Sequence, residues 1–331
     1  MLSLGLALSA LAMSTARAVD PTAAEAGLQA LSTVDLRVAT ITFRLAAANI
    51  ELCKDQAPLS GLSLHDASQY DVDYRPAAVR LFGLGKWPGV MAIVPGGPAD
   101  RAGLRSGDAL LAINGVAIPA VPDDHEGGSA PASYDRMARI LEQFDAALAG
   151  GPVTLTVARA GAELKLRLAP VTGCASRSQL LPDDKRDAGA DGRMISITTA
   201  MVEFARNDDE LAVVISHEMA HNAMRHRQLL DAQGVSRGLL SHFGANARKI
   251  RATEQEADRL GLYMMARAGF DIMAAPAFWR RFGKATDFGP LSDPTHPRGR
   301  EREQAMLGLI GDINAKRAAG QPLVPGASAR P

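Results

Sequence analysis

The chain has 331 residues, 47% hydrophobic and 22% charged, enough for two domains with a core each and unlike a fibrous or disordered polymer. Lysine plus arginine equals aspartate plus glutamate, so the formal net charge is zero. With no basic surface implied and no nucleic-acid motif, nucleic acid is excluded as a partner.

The N-terminal run from Met1 to Ala18 is short, rich in leucine and alanine, and ends in Ala16-Arg-Ala18. This is the pattern of a secretory signal peptide and its cleavage site. No Lys or Arg precedes the apolar run, which leaves a start further upstream or an N-terminal anchor as the alternatives. Elsewhere no window approaches 18 uninterrupted apolar residues, so no transmembrane helix is expected. The expected location is the periplasm or another exported compartment, with peripheral membrane association. Asp35 to Leu52 is expected to be helical, in an N-terminal segment (19–70) that packs on the last domain.

There are two cysteines, Cys53 and Cys174, and an oxidising compartment favours a disulfide between them. Two buried thiols are the alternative. Between them, Val90 to Gly115 reads as strand, small-residue turn, short helix, Gly107-Asp108 turn and strand, and ends on the turn pair Asn114-Gly115. A helix is expected from about Tyr134 to Leu148, then strands Val153 to Ala158 and Glu163 to Leu168. The pattern A-G-L-x-x-G-D-x-L-x-x-I-N-G resembles the PDZ domains of bacterial exported proteases. It implies a module that takes an extended C-terminal peptide as an added strand. Leu81-Phe-Gly-Leu84 is either its carboxylate-binding loop or a strand entry. If the cysteines pair, the module is inserted in a closed loop and the last domain is built from both flanks.

Met194 to Arg206 alternates like a strand. After it, Asn207 is a good N-cap, Asp208 and Asp209 suit a first helical turn, and Glu210 stands where a capping box places it. Leu211 to Ile215 are apolar, so the helix is buried. It carries His217, Glu218 and His221. Imidazoles four residues apart share one face and can hold one zinc ion, while Glu218, about 100° round, suits a general base. His226 lies well off that face and is expected to be structural rather than a ligand.

Leu229 to Arg251 is either a flap or a plain loop. Thr253 to Gly269 reads as a second helix with a glycine C-cap, started by Thr253 or a neighbour. Glu254 and Asp258 share a face, and Glu256, about 200° round from Glu254, points elsewhere. Glu254 is the expected third ligand. Asp258 is placed to orient a zinc-bound histidine through its free N–H. Ala274 to Phe282 is expected to be a helix with Phe278 and Trp279 as core packing.

H-E-M-A-H-x4-H, then E-Q-E-A-D-R-L-G-L-Y, then Thr295-His-Pro297 and Arg302, closely resembles the M48 metallopeptidases. These are zincins, and the match runs from about Met194 to Arg302. The resemblance implies His217, His221 and Glu254 as ligands of one zinc ion per chain and Glu218 as catalytic base. It also implies Asp258 behind the ligands and His296 as a further catalytic residue, through extra ligation or the developing oxyanion. By resemblance the Met194–Arg206 strand is the edge that pairs with substrate. Arg302 either organises the helix or binds a carboxylate.

The expected fold is α+β, a mostly helical zincin-like metallopeptidase domain with a small mixed PDZ domain. The expected boundaries are a signal peptide (1–18), the N-terminal segment (19–70), the PDZ unit (71–171), the peptidase domain (172–318) and a disordered tail (319–331). The expected activity is zinc-dependent cleavage of misfolded or specific envelope proteins. A non-catalytic PDZ adaptor or chaperone with a zinc site is the alternative.

Overall fold

The computed structural model describes residues 20–121, 131–235, 244–286 and 299–326. The expected signal peptide and His296 lie outside them. In chain order the elements begin with α1 (Pro21–Ala48), β1 (Gln56–Leu59), β2 (Leu62–His65), α2 (Arg75–Phe82), β3 (Gly89–Ile93) and α3 (Pro98–Arg101). Next come β4 (Ala109–Ile113), β5 (Val116–Ala117), α4 (Asp135–Ala149), β6 (Val153–Arg159), β7 (Ala162–Leu168) and β8 (Val171–Cys174). The last part holds β9 (Arg177–Leu181), β10 (Ala188–Ala190), β11 (Met194–Thr198), α5 (Thr199–Phe204), α6 (Asp208–Met224), α7 (His226–Ala232), α8 (Gly244–Arg267), α9 (Ala274–Thr286) and α10 (Gly299–Ala318). The mixture is α+β.

Helix α1 is the spine. Asp20 caps it by accepting the Thr22 N–H, and Pro21 fixes φ in the first turn, where no backbone donor is needed. Its early residues Ala24 and Leu28 join a small core with Ala67, Ala77, Ala78 and Leu84, and its later residues Val38, Ile41, Leu45 and Ala46 enter the largest core.

The six-stranded sheet runs in the order β2-β3-β4-β6-β7, with β5 beside β4. Asn114 and Gly115 turn between β4 and β5 with φ of 51° and 80°, the left-handed pair that a tight hairpin needs. A core from Ala99 to Leu168 fills the space between this sheet and α4, through Met137, Ile140 and Phe144. The sheet begins at Leu62, ahead of the boundary at 71 drawn from sequence. Leu81 to Leu84 is neither a carboxylate loop nor a strand entry. It is the end of α2, with Gly83 as a left-handed cap and Leu84 buried in the small core.

The module hangs from a tied stem. Strand β1 pairs antiparallel with β8, from Gln56–Cys174 to Leu59–Val171, and Cys53 is bonded to Cys174 with a Cα–Cα distance of 5.4 Å. The largest core takes residues from both sides of this stem, from α1 before it and from β11, α5, α6, α8, α9 and α10 after it.

Beyond the stem, β11 lies between β10 (antiparallel) and β9 (parallel). The strand expected over Met194–Arg206 stops at Thr198, because the Thr198 hydroxyl accepts the Met201 N–H and caps α5. Thus β11 is central and β10 is an outer strand. Helix α8 starts at Gly244, well before Thr253, since the run Ala245-Asn-Ala-Arg-Lys-Ile-Arg251 sustains a helix. Thr253 is interior and donates its hydroxyl to Ile250 O. The tail is ordered through Gly326. After the left-handed Gly320, Leu323 packs on the core, and the carbonyls of Val324 and Gly326 accept from Lys316 and Arg259. Among the described residues no helix is long and apolar enough to cross a membrane.

Candidate metal centre

Helix α6 is fixed at its start by Asn207, whose side chain accepts the Glu210 N–H at 2.9 Å. Such a cap contributes about 1 kcal/mol. The Glu210 carboxylate accepts from Arg206 N and is gripped by Arg281 at 2.6 and 2.9 Å. Leu211 to Ile215 are buried, so α6 runs through the core and its polar residues 217, 218 and 221 are a deliberate exception.

Helix α8 crosses α6 at Gly261. A Cβ there would stand 3.1 Å from His217 N and from Ser216 C and O, so the two backbones are in close contact. That approach brings Glu254 and Asp258 to the histidines. His217 Nε2 lies 3.2 Å from His221 Nε2 and 3.3 Å from Glu254 Oε2, and His221 Nε2 lies 3.4 Å from Glu254 Oε1. A tetrahedral zinc with bonds of about 2.05 Å separates its ligands by about 3.3 Å. The three side chains therefore fit zinc in donor type and spacing.

Asp258 Oδ1 meets His217 Nδ1 at 2.9 Å, which turns Nε2 toward the shared centre. Arg302 settles its own role by binding this carboxylate with two nitrogens, Nε at 2.6 Å and Nη2. The guanidinium also stacks on Trp279, 3.2 Å from the ring centroid, and Trp279 meets His217 edge-on. Reading Trp279 as core packing alone misses this platform, and no sequence signal marks it.

The electrostatics suit a cation. Burial pulls the His217 imidazole down, but its hydrogen bonds to Asp258 and Glu254 outweigh that and carry it up to about 10. Burial takes His221 down to about 3, and pushes the Glu218 carboxyl up to about 7 with His217 opposing. Asp258 stays below the usual carboxylate range because Arg302 and His217 outweigh its burial.

His226 stands outside the ligand group, as expected, but against the back of His221 rather than away from it. Helix α6 ends at Met224, Arg225 is left-handed, and α7 starts at His226, whose Nδ1 lies 3.1 Å from His221 Nδ1. Glu256, pointing away from the centre as expected, meets His226 Nε2 at 3.2 Å. Asn222, next to His221, accepts the Gly192 N–H at 2.7 Å and so ties the turn between β10 and β11 to the same helix.

Residues 179–250 match the profile of peptidase family M48, and residues 89–125 match that of a PDZ domain. The chain is similar to the mitochondrial metalloendopeptidase OMA1 of Schizosaccharomyces pombe, 29% identical over 151 residues, 38% of this chain and 44% of that protein. The protein of the same name from Arabidopsis thaliana is 31% identical over 130 residues, 34% of this chain and 27% of that one. The putative beta-barrel assembly-enhancing protease of Vibrio cholerae is 27% identical over 142 residues, 34% and 29% of the two chains. The chain thus spans less than half the length of these curated relatives. The M48 match includes His217, Glu218 and His221 and ends just before Glu254, and the PDZ match lies inside the loop closed by Cys53 and Cys174.

Proposed function

We propose that the chain is a zinc-dependent endopeptidase of the cell envelope, cleaving misfolded or specific envelope proteins, with the PDZ domain recognising substrate or regulating access. The observation that carries the chemistry is the convergence of His217, His221 and Glu254 at 3.2, 3.3 and 3.4 Å beside Glu218. When bound, zinc supplies Lewis acidity toward the scissile carbonyl and the attacking water. Glu218 takes the water's proton at a carboxylate oxygen and returns it to the leaving nitrogen. His217 and His221 hold their Nε2 lone pairs toward the shared centre, and Asp258 keeps the proton of His217 on Nδ1. His296 is assigned by resemblance to the metal or the developing oxyanion.

The substrate backbone is assigned to the outer edge of β10. A cleft of about 230 Å³ opens beside β10, lined by Asp187, Gly189 and Asp191 together with Ser196 and Thr198 of β11 and Leu181 of β9. Asp187 acts electrostatically on Glu218, which supports a common lane. The outer strand β2 offers the PDZ domain's edge for a C-terminal peptide. Envelope location rests on the apolar N-terminal run and the disulfide.

The test is cleavage of an unfolded protein by the zinc-loaded chain beside Glu218→Gln. Cutting by the parent alone supports the proposal, and turnover in the variant removes Glu218 from the mechanism. If neither cuts although zinc is bound at one per chain, the adaptor reading replaces the enzyme.

A further inference from the structure

We propose that His226 and Glu256 form a positioning chain behind His221, the counterpart of Asp258 and Arg302 behind His217. It rests on the reading of His217, His221 and Glu254 as one metal-binding triad.

The donor and acceptor order carries the argument. His221 turns Nε2 toward His217 and Glu254, which leaves Nδ1 facing His226 Nδ1 at 3.1 Å. A nitrogen that gives its lone pair to a metal carries no proton, so a neutral His221 keeps its proton on Nδ1. That N–H donates, so His226 Nδ1 accepts, and the proton of His226 belongs on Nε2. There Glu256 Oε2 accepts it at 3.2 Å. Each proton in the series has one place, and each donor meets an acceptor. The two rings stand nearly perpendicular at 81°, with centroids 4.9 Å apart, so the contact is nitrogen to nitrogen rather than stacking.

The backbone is bent to allow it. On a continuous helix His226 would sit about 140° round from His221. Arg225 breaks the helix at φ 59° and ψ 40°, a left-handed conformation that costs a non-glycine residue about 1 kcal/mol. Such strain persists only where surroundings enforce it. Here Lys54 N donates to Ala223 O at 3.4 Å, Lys54 Nζ donates to Met224 O at 3.3 Å, and Asp55 binds the Arg225 guanidinium. All three contacts come from the segment beside the disulfide. Their result is that His226, 1% exposed, stands directly behind His221.

The experiment measures zinc affinity by chelator competition on the full chain, with the metal-free unfolding midpoint as a second readout. Partners of this kind change affinity by about 10–100-fold. His221→Ala is expected to abolish tight binding. Glu256→Ala is expected to weaken binding about tenfold with the metal-free midpoint unchanged, since the Glu256 side chain is 41% exposed. His226→Leu should lose more, and His226→Gln should recover most of it, because its amide oxygen accepts the His221 Nδ1–H. In the cobalt-substituted protein the visible bands should shift in His226→Leu and return toward the parent in His226→Gln. A Glu256→Ala affinity within about twofold of the parent, or equal losses in the Leu and Gln variants, overturns the proposal. If His226→Leu does not fold, Glu256→Ala decides alone. If the parent holds no zinc, or His221→Ala keeps it, the triad reading fails and this chain of residues with it.

Discussion

Gly261 sets the distance between the two helices that carry the candidate ligands, so Gly261→Ala tests the site through packing alone. On helix propensity the change should stabilise α8 by about 1 kcal/mol. Against that, the new Cβ would meet His217 N and Ser216 C and O at 3.1 Å. Ordinary contact starts near 3.4 Å, and the obstacle is the backbone of a buried helix, so α8 must move away by roughly 0.3 Å. Overpacking of this kind costs about 1–3 kcal/mol. The net expectation is a loss of about 1 kcal/mol, read as a lower urea midpoint of the metal-free chain. The same movement carries Glu254 away from both histidines. Metal sites tolerate about 0.2 Å, so zinc affinity should fall several-fold. Gly308→Ala on α10 is the control, because nothing lies within 4 Å of its added Cβ, and it should gain the full propensity term. Equal gains in both variants with unchanged zinc affinity would refute the close-contact argument.

Arg302→Met leaves the Asp258 carboxylate, 7% exposed, without its guanidinium. The expected cost is about 3–5 kcal/mol, with weaker zinc binding, and an unchanged unfolding midpoint would sink the assignment. Cys53→Ser releases a loop with a sequence separation of 121. Loop entropy predicts up to about 5 kcal/mol of lost stability, so reductant should lower the urea midpoint of the parent and leave that of the variant alone. His65 is buried and held down to about 4, so the fold excludes a proton that the unfolded chain binds near 6.5. The unfolded state therefore binds more protons between those values, and stability falls as pH drops, by about 2 kcal/mol from pH 7.5 to 5. Asp35, raised to about 6 by burial, pulls the opposite way in the same window. The comparison is therefore with His65→Gln, which keeps Asp35 and should lack the His65 component. Parallel pH profiles would reject it.

Much of the site is local and was legible in the residues. The cap at Asn207, the buried run Leu211 to Ile215 and the spacing of His217, Glu218 and His221 all follow from one helix's own geometry, and the structure has them. The Glu254–Asp258 pair is local in the same sense. Where local reasoning was extended across a break it failed. His226 was placed by continuing α6, but Arg225 turns left-handed because Asp55 and Lys54 hold it there. Met194 to Arg206 reads as one strand, yet a cap at Thr198 ends it. The tail composition suggests disorder, while Leu323, within the described residues, packs against the core.

The sequence by itself determined which side chains could act, because residue type and i,i+4 spacing are properties of a single backbone segment. Tertiary structure alone decided how they meet. Glu254 reaches His217 because Gly261 lets two helix backbones touch, and Arg302 reaches Asp258 from a helix far along the chain. The disulfide joins two segments that the PDZ domain separates. Such contacts depend on packing between segments distant in sequence, and no local propensity encodes them.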